Sequence, residues 1–168
     1  MQNIFLIGMM GSGKSTIGKL LSKKISLPLI DMDDEIQQLM DMSISKIFNE
    51  YGKKRFRLIE SAFFKECSKN NDFIYSTGGG IILDANNQNI LQTRGMSVFL
   101  DCTTETIISR LKSKDKNRPL YKSDDDIISL HHDRINLYKK CAHYIINTNQ
   151  FTQDQITLQI EKLYNENN

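Results

Sequence analysis

Gly8-Met9-Met10-Gly11-Ser12-Gly13-Lys14-Ser15 follows the spacing G-x-x-x-x-G-K-[ST], and those residue types in that order make a cradle for phosphate. Successive backbone N–H groups of such a loop point into one concavity, and the helix that follows adds its unpaired donors and positive dipole end. Small residues at Gly11, Ser12 and Gly13 keep the turn tight enough to wrap phosphate oxygens, while Lys14 reaches the β- and γ-phosphates and the Ser15 hydroxyl ligates magnesium. The chemistry is that of a nucleoside triphosphate.

Other polar residues stand where an acceptor for that phosphate belongs. Asp31 and Asp33 close a short apolar run, and the carboxyl ends of parallel strands face the ligand crevice, so one is expected to face magnesium and the other an acceptor hydroxyl. Asp34 is assigned instead to capping the next helix. Asp101 follows the apolar run Val98-Phe99-Leu100 and is ranked below Asp31 as the magnesium carboxylate, since it equally suits a cap for the helix starting near Thr103. Gly78-Gly79-Gly80 costs chain entropy unless something approaches the backbone closely, and backbone N–H groups beside the phosphate loop are the expected reason. Arg57 and Glu60 share a helix face, a spacing usually seen in surface ion pairs and one that also lets Glu60 hold the guanidinium in place.

The elements that must position these groups follow from periodicity. Short apolar runs at Ile4–Ile7, Leu29–Ile30, Phe73–Tyr75, Val98–Leu100 and Tyr144–Ile146 read as strands with helical patterns between them, which predicts a parallel sheet covered on both faces, a three-layer α/β/α domain. The core is expected in residues 1–32, 71–112 and 127–168. Residues 33–70 read as helix only and form an inserted substrate-binding subdomain. Residues 113–126 are polar, charged and interrupted by Pro119, and read as a lid carrying Arg118, which on closing excludes water and adds positive charge. Thr152 to Gln155 has the form of a capping box before a closing helix.

Composition excludes several classes. At 168 residues with 39% apolar residues the chain fits one domain, and it has no apolar run long enough to span a bilayer. The opening residues run straight into the first strand and leave no room for a signal peptide, so a cytoplasmic location is expected. Cys67, Cys102 and Cys141 are widely spaced and show no C-x-x-C pair, which argues against a disulfide framework or a zinc site. A net charge of +2 gives no ground for a nucleic-acid partner. A monomer is the simplest expectation for a chain of this size.

Taken together, the phosphate loop, Asp31-Met32-Asp33, Phe56-Arg57-Leu58-Ile59-Glu60, Gly78-Gly79-Gly80, Arg118-Pro119-Leu120 and Arg134 with Tyr138 resemble the shikimate kinase family over nearly the whole chain. The resemblance implies a nucleoside-monophosphate-kinase type of fold with a five-stranded parallel sheet, and transfer of the ATP γ-phosphate to the 3-hydroxyl of shikimate with Mg2+ as cofactor. It also implies residue roles. Arg57 and Arg134 match arginines that grip the shikimate carboxylate, and Asp33 matches the hydroxyl-binding proton acceptor, aided by Gly79 and Gly80. Asp31 matches a water-mediated magnesium residue, alongside Ser15 and Ser76. Gly11, Ser12, Gly13, Lys14, Ser15 and Thr16 bind the phosphates of ATP, Arg118 closes on them, Arg110 lies against adenine and Gln150 is the assigned adenine-side contact. Lys14, Asp33 and Arg118 form the catalytic set.

Four positions depart from the family pattern: Lys53 after Gly52 where glutamate is usual, Tyr121 where the lid ends in leucine, Asn136 where a proline is common, and His143 where an aspartate is expected. The competing readings are a gluconate or nucleoside-monophosphate kinase of the same fold and a non-enzymatic nucleotide-binding switch. Paired arginines favour a small carboxylate over a nucleotide acceptor.

Overall fold

A computed structural model describes residues 2–113 and 123–167. Its strands are β1 (Asn3–Ile7), β2 (Leu29–Asp31), β3 (Ile74–Ser76), β4 (Gly95–Asp101) and β5 (Tyr144–Asn147). Every pairing is parallel, and the order is β2-β3-β1-β4-β5. The helices are α1 (Lys14–Ile25), α2 (Met32–Met40), α3 (Ile44–Cys67), α4 (Ala85–Thr93), α5 (Thr104–Ser113), α6 (Asp124–Cys141) and α7 (Gln153–Glu166).

Central strand β1 is buried at every residue, and its side chains divide between two cores because alternate residues of a strand face opposite ways. Phe5 and Ile7 join Phe64, Tyr75, Phe99 and Tyr138 on one face, whereas Ile4 and Leu6 join Ile17, Leu21, Ile156 and Ile160 of α1 and α7 on the other. A third cluster of Ile36, Ile47 and Phe56 holds α2 against α3. This is the expected three-layer architecture with a five-stranded parallel sheet.

The helices of residues 33–70 reach the sheet itself. Phe64 of α3 is buried in the sheet core with Phe63 and Cys67 packed beside it, so the last part of α3 covers the sheet. Gly52 breaks α3 at φ 75, ψ 167, a conformation only glycine adopts readily. The segment before it carries Ile44 and Phe48, and the segment after it Phe56, Arg57 and Glu60. Of the stretch 113–126, Ser113 ends α5, and Asp124, Asp125 and Asp126 form the first turn of α6, capped by Ser123. Arg118 and Tyr121 lie outside the described residues. None of the described helices is long and apolar enough to cross a membrane.

Candidate active site

The phosphate loop joins β1 to α1 at the carboxyl edge of the sheet. Gly13 caps α1 at φ 105 without a side-chain hydrogen bond to the helix, which leaves the first N–H groups directed at the cavity, where an anion is favoured. Lys14 is nearly buried, and its Nζ donates to the carbonyls of Gly8 at 2.9 Å and Met9 at 2.8 Å. At the base of the loop, Ser15 Oγ lies 3.3 Å from Ser76 Oγ, and Ser76 is the register partner of Asp31.

Two cavities open here. One, of about 350 Å³, is lined by Gly11 to Ile17, Ser76, Thr77 and Arg110, together with Thr148, Phe151 and Ile156. The other, of about 290 Å³, is lined by Asp31, Asp33, Asp34, Gln37, Arg57, Glu60, Gly78 to Gly80 and Arg134, with Ile44, Phe48 and Phe56 as its apolar wall. Met10, Ser15, Asp33 and Gly79 line both. The two chambers therefore meet at a carboxylate, a hydroxyl and the glycine turn.

In the second chamber Arg57 and Glu60 form an ion pair that is not on the surface, since Glu60 is 1% exposed. Phe56 packs against the same guanidinium, with the Arg57 carbon 5.1 Å from its ring centre. Burial pushes the Glu60 carboxyl above its ordinary range; Arg57 pulls in the opposite direction, and the charge of Asp33 adds to the rise. Ser12 Oγ, Arg57 Nε and Glu60 Oε1 are buried with no hydrogen-bond partner among the described residues.

The glycine triplet is explained by the protein's own side chains. A Cβ at Gly78 would run into Glu60, and one at Gly80 into the Arg57 guanidinium. The Gly79 carbonyl is held from within the protein: Arg134 Nη1 donates to it at 3.1 Å and the Tyr138 hydroxyl donates to it as well. Arg134 is 2% exposed, and Tyr138 stacks on Phe99 with ring centres 5.1 Å apart.

Helix capping differs from expectation. Asp31, not Asp34, caps α2, its Oδ1 accepting from Asp33 N at 3.3 Å, while Asp34 lines the second chamber. The cap falls one turn earlier because the helix begins at Met32, immediately after the strand. Thr103, not Asp101, caps α5, and Asp101 lines neither chamber. Arg110 donates to the carbonyls of Gly11 at 3.2 Å and Ser12 at 3.3 Å. Gln150 is exposed and lines neither chamber. Met10 at the junction, Gln37 and the Ile44–Phe48–Phe56 wall line the chamber without any signal in the sequence beyond the helical pattern of residues 33–70.

Similarity to known proteins shows the family. The family model described as shikimate kinase matches residues 10–164. The chain belongs to the shikimate kinase family. It is 42% identical to the shikimate kinase of Caldicellulosiruptor bescii over 92% of this chain and 90% of that protein, and 37% identical to that of a Sulfurihydrogenibium species over 95% and 96%. Shikimate kinase from Acinetobacter baumannii, solved in complex with shikimate, superposes with a TM-score of 0.94 at 34% identity, covering 99% of this chain and 94% of that one. A deoxyadenosine kinase from M. mycoides, at 16% identity and a TM-score of 0.68, shares the fold alone.

Two of the positions that depart from the family pattern, His143 and Lys53, have definite places in the structure. His143 Nδ1 accepts from Ser97 N at 3.0 Å while His143 N donates to Ser97 O at 2.9 Å, so side chain and backbone of His143 both pair with β4. Lys53 is exposed, which places the reversed charge in solvent.

Proposed function

We propose that this chain transfers the γ-phosphate of ATP to the 3-hydroxyl of shikimate, giving shikimate 3-phosphate and ADP in the route to chorismate and the aromatic amino acids. The observation that carries the reading is the junction of the two chambers at Asp33. One side offers the phosphate cradle; the other offers Arg57 and Arg134, whose planar guanidinium groups suit a carboxylate. With the carboxylate held by those arginines and the ring against Ile44, Phe48 and Phe56, a hydroxyl is presented to Asp33.

Asp33 accepts the proton of that hydroxyl as its oxygen attacks the γ-phosphorus, and the bond from phosphorus to the β-bridging oxygen breaks to release ADP. Little covalent work is asked of the protein, because phosphoryl transfer is promoted chiefly by in-line positioning and charge stabilisation. Lys14 leaves the carbonyls of Gly8 and Met9 for the phosphate oxygens. Arg118, assigned from the R-P-L motif alone, adds a second cation. Ser15, Ser76 and Asp31 form an oxygen-only corner suited to a hard cation that keeps part of its water, so they fit Mg2+. When bound, magnesium would neutralise phosphate charge.

An acceptor chamber of about 290 Å³ with two arginines favours a small carboxylated polyol over a nucleoside monophosphate. Nuclear magnetic resonance of the product tests the position of transfer. Coupling of phosphorus to the proton on carbon 3 is expected, and coupling at another ring position would overturn the assignment.

A further inference from the structure

Two walls of the acceptor chamber come from different helices, and one side chain ties them together. Asp33, Asp34 and Gln37 come from α2, whereas Ile44, Phe48 and Phe56 come from α3. Gln37 lies four residues after Asp33, so the two share a face of α2 one turn apart. Its Oε1 accepts from Ile44 N at 3.1 Å.

That bond falls on the first residue of α3, where a helix has N–H groups with no partner of its own. Ser43 Oγ takes Lys46 N at 3.2 Å, and Gln37 takes Ile44 N from outside the helix. The start of α3 is therefore capped partly by α2. Ile44 and Phe48 are four apart and form one face, and Phe48 packs on Phe56 with ring centres 4.6 Å apart. Beyond them Gly52 interrupts the helix, so the segment 44–51 has no continuous helical support from its far end. Its place relative to Asp33 rests on the Gln37 bond and on the cluster of Ile36, Ile47 and Phe56. The turn between the helices is tied separately by main chain: Asp41 N and Met42 N both donate to the Gln37 carbonyl, the latter at 3.1 Å, and a substitution at residue 37 keeps those bonds.

Resting on the reading of this chamber as the shikimate site, we propose that Gln37 is a positioning residue for the acceptor: through Ile44 it sets the spacing between the apolar wall and Asp33. The wall orients the ring, and Asp33 receives the proton of the hydroxyl that the ring presents. A shifted wall moves that hydroxyl off the line of transfer, and misplacement by about 1 Å can cost about 10²-fold in rate. The group that acts is the side-chain carbonyl oxygen of Gln37, since it alone reaches Ile44 N.

Steady-state kinetics of the intact chain with ATP, magnesium and shikimate, together with thermal melts, tests this in two variants. Gln37→Met keeps the length and removes the acceptor; Gln37→Glu keeps the acceptor. Gln37→Met should lower kcat/KM for shikimate about fivefold or more, as loss of one hydrogen bond implies, with KM for ATP within about twofold of wild type. Gln37→Glu should restore kcat/KM to within about threefold of wild type. A side chain that only stabilised the helix start would lower Tm and leave kcat/KM for shikimate alone. That result in Gln37→Met would overturn the proposal, as would Gln37→Glu performing no better than Gln37→Met, or parallel losses for ATP and shikimate. If the wild-type chain gave no shikimate-dependent release of ADP, the functional reading itself would fall, an outcome distinct from equal kinetics in wild type and Gln37→Met.

Discussion

Glu60 holds Arg57 across one turn of α3, inside the acceptor chamber, with its other carboxylate oxygen buried and without a hydrogen-bond partner among the described residues. Buried charge is costly unless paired, so the pair persists here for the geometry it imposes on the guanidinium. Glu60→Gln should therefore raise KM for shikimate while leaving KM for ATP near wild type. The pH dependence has a definite sign. Burial raises the folded-state pKa of Glu60 above its ordinary value, so its contribution to stability is full below the unfolded pKa near 4.5 and is lost as pH rises through the folded value. Thermal melts of the two proteins should shift in favour of Glu60→Gln as pH increases across that window; a constant difference would contradict the raised pKa.

Asp33 stands where the two chambers meet. Asp33→Asn keeps the shape and removes the proton acceptor, so kcat should fall by about 10² to 10⁴ with ATP affinity little changed, the range expected for a general base. Near-normal turnover would exclude Asp33 as the base.

Arg134 binds the Gly79 carbonyl and faces the acceptor chamber. Losing a charged hydrogen bond to a carboxylate costs roughly 1.5 to 3 kcal/mol, so Arg134→Ala should raise KM for shikimate roughly tenfold to a hundredfold. Arg134→Lys guards against misfolding, because it keeps the charge and loses the fork. It should fall between the other two in steady-state kinetics, and equal loss of ATP affinity would speak against the assigned role.

Tyr138 donates to the same Gly79 carbonyl, and burial pushes its hydroxyl up to about 12, so it remains a donor throughout the neutral range. Tyr138→Phe should cost about 1 kcal/mol. At this chain length that lowers Tm by about 2 to 4 °C, while Arg134 still orients the turn. Calorimetry reads the shift directly.

Gly52 breaks α3 between the Ile44–Phe48 wall and Phe56-Arg57. A Cβ there meets nothing within 4 Å, so any penalty for Gly52→Ala comes from the backbone conformation and not from crowding. Strain of about 1 to 3 kcal/mol is expected, appearing as lower Tm and a higher KM for shikimate at constant KM for ATP. Loss of nucleotide affinity alone would contradict the placement of this break.

Much of the fold was legible because β1 and the phosphate loop carry strong local signals: an apolar run, then glycines, then helical periodicity. The parallel sheet followed from repeating that pattern. Other features depend on contacts distant in sequence. Asp31, Asp33 and Asp34 look alike in a row, and only the start of α2 at Met32 decides which of them caps. The glycine triplet announces a close approach without naming the approaching group, which proved to be Glu60 and Arg57, some twenty residues earlier on another element. Likewise Gln150 and Phe151 are neighbours in the chain, and only the folded loop before α7 separates them, with Phe151 lining the nucleotide cavity and Gln150 outside it.

Release of ADP from ATP and magnesium, followed with shikimate, gluconate and a nucleoside monophosphate as separate acceptors, addresses the central claim most directly. The account predicts strong stimulation by shikimate and none by the other two. A flat response to shikimate, or greater stimulation by either competitor, would contradict it.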